Sequence, residues 1–209
     1  MTEIKICGLT NIDDARSAIE LGADYLGFVL YKKSPRGITF STLLKIVDKL
    51  DYPCRIIPVF VNESALSILK MLEEIKVYAI QLHGEESVHE FCNIPVPVWR
   101  AVRWEGNTWS PLPEKWKAIR YVVDSRSEES YGGTGKLANW SAAGELARKY
   151  QIMLAGGLTP ENVTSAIHAV HPVGVDVSSG IELHPGKKDI TKMKKFIYAV
   201  RNMETQKKD

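Results

Sequence analysis

Ile4-Lys5-Ile6-Cys7-Gly8-Leu9-Thr10 and Val175-Asp176-Val177-Ser178-Ser179-Gly180 stand near the two ends of the chain. The first reads as a short apolar strand that carries a lone cysteine to its C-terminal end. The second reads as a short apolar strand that runs into a Ser-Ser-Gly turn suited to a phosphate. If both strands belong to one closed parallel barrel, their C-terminal ends lie on the same face. A thiol and an anion cradle then share one pocket.

Six further β-rich runs lie between them: Tyr25–Leu30, Ile56–Val61, Tyr78–Leu82, Pro97–Val102, Tyr121–Val123 and Ile152–Ala155. Together with Ile4–Ile6 and Val173–Val177 they recur roughly every 20–30 residues, as strand-plus-crossover units do. The runs are mostly continuous apolar stretches rather than alternating ones, which suits parallel strands buried on both faces. Helical patterns fill most of the gaps. Asn11–Leu21 places Ile12, Ala15, Ala18 and Ile19 near one face, has Asp13 and Asp14 in its first turn and stops at Gly22. Ser64–Ile75 offers Leu66, Leu69, Leu72 and Ile75 as its inner face. Thr159-Pro160-Glu161-Asn162 supplies a cap, a proline at the first helical position and an acid. Lys188–Arg201 carries Ile190, Met193, Ile197 and Val200 with a basic outer face. Trp104–Lys117, with Pro111 and Pro113, reads only as a loop with a short helix. Eight such units without a break in composition predict a single (β/α)8 barrel, the TIM-barrel fold, over residues 1–209. A doubly wound open sheet is the rival, and it usually needs fewer strands or a longer chain.

Bulk properties narrow the function. The chain has 209 residues, is 44% hydrophobic and carries a formal net charge of +2. That charge is too small to argue for a nucleic-acid partner. No run reaches the roughly 18 apolar residues of a membrane span, and the N-terminus lacks the layout of a signal peptide. Three cysteines, Cys7, Cys54 and Cys92, without close spacing fit a reducing compartment, so a cytoplasmic location is expected. Sequons at Asn62, Asn139 and Asn162 are read as chance.

The C-terminal ends of the strands are where such a barrel builds its active site. There the sequence places Cys7 after strand 1, Arg36 in the loop after strand 2, Asn62 after strand 3, and Gln81 and His83 at strand 4. Arg100 and Arg103 follow on strand 5, Asp124 on strand 6, Gly156 and Gly157 after strand 7, and Asp176, Ser178, Ser179 and Gly180 at strand 8. Loops after strands 7 and 8 form the recurring phosphate site of these barrels. Glycines let backbone N–H groups approach an anion, and serines add hydroxyls. Each residue alone also has a plain structural reading: Cys7 as core, Asp124 as a helix cap, His83 in a turn, Arg36 as a solvated charge. No His, Cys or carboxylate set has metal-ligand spacing, and no metal is expected.

The segment Tyr131-Gly132-Gly133-Thr134-Gly135-Lys136-Leu137-Ala138 mimics two nucleotide motifs. The Walker A pattern fails because Ser130 replaces its first glycine and Leu137 follows Lys136. The dinucleotide fingerprint fails because the segment lies beyond the strand and lacks the later acid. The stretch is read instead as a lid that supplies backbone donors.

Taken in order, Lys5–Thr10, Leu21–Asp24, Leu26–Val29, Ser34-Pro35-Arg36, Val59–Asn62, Gln81–Gly84, Asp124-Ser125, Gly132–Lys136, Leu154–Leu158, Pro160–Val163 and Gly174–Glu182 resemble the phosphoribosylanthranilate isomerases of tryptophan biosynthesis nearly end to end. The resemblance implies a ribulose-phosphate-binding barrel and an intramolecular aldose–ketose isomerisation of a phosphoribosylated anthranilate, with no cofactor and as a monomer or homodimer. It implies Asp124 as general acid, Cys7 as general base, Arg36 on the anthranilate carboxylate, and His83 and Asp176 lining the pocket. At pH 7 both reacting groups are in the wrong form at their unperturbed pKa values, about 3.9 for Asp and 8.5 for Cys. An apolar pocket would raise the first, and the turn beyond Cys7 would favour a thiolate. Leu137-Ala138-Asn139 departs from the Thr-Phe-Asp of many relatives. The rival readings are another sugar-phosphate isomerase or lyase, one that also accepts the aminoimidazole analogue of the histidine pathway, and a silent phosphate-binding barrel.

Overall fold

The computed structural model describes residues 1–50, 54–124 and 135–205. Eight strands form the core: β1 (Glu3–Ile6), β2 (Tyr25–Val29), β3 (Arg55–Phe60), β4 (Ile80–Leu82), β5 (Val98–Trp104), β6 (Arg120–Asp124), β7 (Ile152–Ala155) and β8 (Gly174–Val177). Each pairs in parallel with the next. β8 returns to β1, with Ile4 opposite Val175 and Ile6 opposite Val177, and closes the barrel. The open-sheet alternative is thereby excluded.

Among the described residues seven α-helices surround it: α1 (Ile12–Glu20), α2 (Phe40–Val47), α3 (Ala65–Glu74), α4 (Val88–Phe91), α5 (Gly135–Ala147), α6 (Val163–Val170) and α7 (Ile190–Thr205). Local chemistry starts several of them. Asn11 Oδ1 accepts the Asp14 N–H at 2.9 Å, and Thr39 and Ser64 cap α2 and α3 in the same way. Between β5 and β6 there is no α-helix. A short strand, Trp109–Ser110, folds back on β5, and a 3₁₀ turn, Pro113–Lys115, follows. Pro111 and Pro113 account for that break. The lid stretch lies outside the described residues as far as Thr134, and from Gly135 onward the chain is helical.

Period-two alternation sorts the strand side chains into two layers. Tyr25, Ile57, Ala79, Trp99, Ala101, Val122 and Met153 fill the barrel interior. Ile4, Ile6, Phe60, Tyr121, Val123, Val175 and Val177 face outward into the apolar layer beneath the helices. Lys5 and Asp176 lie between those outward residues on β1 and β8, so alternation turns both inward.

Two helical faces differ from the sequence reading. On α3 the buried residue is Ile68, while Leu66 is 64% exposed. Apolar side chains cover so wide an arc there that spacing alone does not select the buried row; packing selects Ala65, Ile68, Leu72 and Ile75. Lys188, read as the start of a basic outer face, is fully buried, and it precedes α7 in a hairpin of Glu182–His184 and Lys187–Lys188.

A buried ion pair fixes the loops after β3 and β4. Glu86 Oε2 lies 3.2 Å from Arg100 Nη1. The carboxylate also accepts the N–H groups of Asn62 and Gly84. Arg100 donates to the carbonyls of Leu82 and Gly84 and stacks 4.8 Å over Trp116. Removing one partner strands a buried charge, so Arg100→Met is expected to cost about 3–5 kcal/mol. Adding Glu86→Gln, which keeps an acceptor for the two N–H groups, should restore more than half of that. Urea unfolding followed by circular dichroism checks both.

Candidate active site

A cavity of about 300 Å³ opens at the C-terminal mouth of the barrel, within the size range of small-molecule sites. Of the fourteen residues that the sequence places at the strand ends, eleven line it: Cys7, Arg36, Gln81, His83, Asp124, Gly156, Gly157, Asp176, Ser178, Ser179 and Gly180; Asn62, Arg100 and Arg103 do not. Val29, Val59, Val61, Val122, Leu158 and Val177 supply apolar wall between them.

Two of the loop glycines hold a backbone conformation that other residues disfavour. Gly156 and Gly157 have φ of 85° and 67°, the left-handed region that favours glycine. Gly180 begins a different constraint. A Cβ there would fall 1.9 Å from the Leu158 carbonyl oxygen, so the β7 and β8 loops can touch only through glycine. Ser178 Oγ is buried and has no hydrogen-bond partner among the described residues.

Cys7 follows β1, and its N–H donates to the Val177 carbonyl at 2.9 Å. Burial pushes its thiol pKa up, opposed mainly by the charge of Lys5. The expected preference for thiolate is therefore not a property of the free site, because desolvation outweighs the local cation. Asp124 ends β6, in register with Arg103 of β5 and Ala155 of β7. His83 follows β4 with Nδ1 3.1 Å from Gln81 Nε2. It is exposed at the rim, yet the protein packed around its ring holds its pKa below the usual imidazole value, with Asp124 opposing that shift.

Arg36 is already engaged. Its Nε and Nη2 donate to Glu182 at 2.8 and 2.6 Å. A guanidinium has five N–H donors, so the end formed by Nη1 and the second N–H of Nη2 remains for another carboxylate. Glu182 in turn holds Lys188 Nζ at 2.9 Å. That ammonium also donates to the Cys7 carbonyl at 2.6 Å and the Ser178 carbonyl at 3.2 Å. Asp14, buried on α1, accepts the Lys188 N–H and the Lys187 ammonium.

Sequence reasoning missed Lys5, Glu182 and Lys188. Lys5 left a signal, since a charge between two isoleucines in a strand buried on both faces must have a buried partner. Glu182 and Lys188 left none, because a hairpin after the last strand looks like surface. Among the described residues no group of His, Cys, Asp and Glu converges to hold a metal ion, and no helix is long and apolar enough to cross a membrane.

Burial alone would raise the Glu182 carboxyl pKa, but Arg36 and Lys188 overcome it and hold the group below the usual range. A carboxyl depressed on folding contributes stability above its unfolded pKa of about 4.3, and that contribution is lost as pH falls below it. Glu182→Gln should therefore unfold at lower urea than the wild type at pH 6. Its stability should then fall less than the wild type's between about pH 5 and 3. Urea midpoints across that range read the difference in slope.

Comparison with known proteins places this geometry. The family model described as N-(5'phosphoribosyl)anthranilate (PRA) isomerase matches residues 4–199. An N-(5'-phosphoribosyl)anthranilate isomerase from Geotalea uraniireducens is 42% identical over 205 residues, 97% of this chain and 100% of the relative. One from Pelobacter propionicus is 38% identical over 206 residues, 99% of each chain. The crystal structure of phosphoribosyl anthranilate isomerase from Thermotoga maritima superposes with a TM-score of 0.83 at 38% identity, covering 97% of this chain and all of the other. Another structure of the enzyme, in complex with reduced 1-(o-carboxyphenylamino)-1-deoxyribulose 5-phosphate, gives 0.81 at 35% identity with the same coverage.

Proposed function

Because the chain belongs to the N-(5'-phosphoribosyl)anthranilate isomerase family, we propose that it performs the Amadori rearrangement of N-(5'-phosphoribosyl)anthranilate to 1-(2-carboxyphenylamino)-1-deoxyribulose 5-phosphate in tryptophan biosynthesis. One observation carries the reading: a thiol, a carboxyl, a guanidinium with a free end and two glycine-rich loops all open onto one cavity.

Asp124, as a carboxylic acid, gives a proton to the furanose ring oxygen. The anilino nitrogen lone pair expels that oxygen from C1′, the ring opens, and an iminium remains. The iminium acidifies the C2′ proton, which the Cys7 thiolate takes. The resulting enolamine gains a proton at C1′ and loses its enol proton to yield the ketone. Nothing is oxidised or reduced overall, so the residues at hand suffice. Arg36 reads the anthranilate carboxylate with the end that Glu182 leaves open. Backbone N–H groups of Gly156, Gly157, Ser178, Ser179 and Gly180 hold the phosphate. His83 and Asp176 border the sugar. The chain works as one barrel domain in the cytoplasm, as a monomer or homodimer; a Thermotoga maritima relative is described as dimeric.

Each acid–base step contributes on the order of 10²–10⁴-fold. Cys7→Ala and Asp124→Asn should each lower turnover by at least that scale with the fold intact. Substrate generated in situ from anthranilate, and enzyme from a host lacking its own isomerase, make the assay clean. Arg36→Met should raise the Michaelis constant and erase the preference over an aniline analogue without the carboxylate. Equal losses on both analogues would assign Arg36 to loop support.

A further inference from the structure

The barrel interior is apolar at the level of Tyr25, Trp99 and Met153, yet it holds one ammonium. Lys5 points inward from β1 with no exposed surface, and its Nζ lies 2.9 Å from Asp176 Oδ2 on β8. Space for it is made by Gly27 on β2. A Cβ there would stand 3.0 Å from Lys5 Cε and 2.8 Å from Cys7 Sγ. Both side chains thus close on the same point of β2.

The other charges around Cys7 are committed elsewhere. Lys188, in the hairpin after β8, divides its donors among Cys7 O, Ser178 O and Glu182. Arg36, in the loop after β2, gives one side to Glu182. Asp176 repels a thiolate, and its Oδ1 is buried without a hydrogen-bond partner. Lys5 donates to Asp176, and its charge is the largest influence favouring the Cys7 anion.

We propose that Lys5 is a positioning residue that acts through Cys7: its buried ammonium is the counter-charge of the thiolate, and Asp176 shares that charge with the sulfur. The proposal rests on the reading of Cys7 as the base. It gives the two partners of one ion pair opposite effects on the thiol. Removing Lys5 leaves the sulfur facing Asp176 alone, and removing the Asp176 charge leaves Lys5 wholly to the sulfur. A merely structural pair would not separate the two changes by sign.

The test is alkylation of Cys7 by iodoacetamide as a function of pH, in a Cys54→Ser/Cys92→Ser background, with the modified site read by mass spectrometry. An opposite charge at close range moves a pKa by about 1–3 units. Lys5→Met should therefore move the alkylation midpoint up by at least about one unit, and Asp176→Asn should move it down. The double variant Lys5→Met/Asp176→Asn, which buries no unpaired charge, should lie between them. If Lys5→Met does not fold, the comparison of Asp176→Asn with the double variant still isolates Lys5, and the double must lie higher. In turnover, the acidic limb for Lys5→Met should shift the same way with little change in the Michaelis constant. An alkylation midpoint indifferent to Lys5 overturns the proposal. Normal turnover in Cys7→Ala overturns the base reading instead, and the alkylation result stands apart from it.

Discussion

The Lys188 ammonium is the constraint on which the site depends. Three acceptors surround it, the carbonyls of Cys7 and Ser178 and the carboxylate of Glu182, and none of its surface reaches water. Burial pulls its pKa down, and Glu182 limits the fall. The cost of burying that charge is offset only because every donor finds an acceptor. The same geometry joins the end of β1 to the end of β8. The thiol-bearing strand and the serine-bearing turn are therefore held together by a cation beneath them, in addition to the ladder between them.

Glu182 extends this tie to Arg36, the proposed reader of the substrate carboxylate. With one oxygen on Lys188 and both on the side of Arg36, it fixes the plane of the guanidinium before any ligand arrives. A free arginine on a loop would lose rotamer freedom on binding, and here that loss is met during folding. Asp14 anchors the other end of the hairpin to α1 by accepting from Lys187 and from the Lys188 backbone. A run of alternating charges thus leads from the first helix to the guanidinium at the cavity wall, and most of its members are buried. Low dielectric strengthens each link and makes each deletion expensive.

The parts that were legible in the sequence are those encoded locally. All eight strands stand where mostly apolar runs stood, because a strand buried on both faces admits a polar side chain only with a buried partner. The proline-rich gap after β5 contains no α-helix for a reason visible in two residues. Eleven of the fourteen residues named at the strand ends converge on the cavity because barrel topology brings every strand's C-terminal end to one mouth. The residues that escaped are those whose meaning depends on a distant partner. Lys5 and Asp176 are 171 positions apart, Lys188 and the Cys7 carbonyl 181, and Arg36 and Glu182 146. No local window holds both members of such a pair, so Lys188 read as helix surface and Glu182 drew no reading of its own. The α3 face failed for a different reason: its apolar arc is wider than the contact it makes, so packing chose the row.

The electrostatics also order the proposed reaction. In the free site desolvation favours the neutral thiol, and Lys5 only moderates that preference. A thiolate held permanently against an apolar barrel floor would be costly and open to adventitious alkylation. Ring opening changes the balance. In the proposed reaction, protonation of the ring oxygen by Asp124 would produce an iminium, a positive charge on the carbon next to the proton that must leave. That charge would lie inside the same cavity as the sulfur and add to the field of Lys5. The base then gains its anionic character when its substrate becomes acidic, and loses it when the product amine is neutral again. Acid before base is thus the order that the placement of the charges favours, with the intermediate supplying part of the field that its own deprotonation requires.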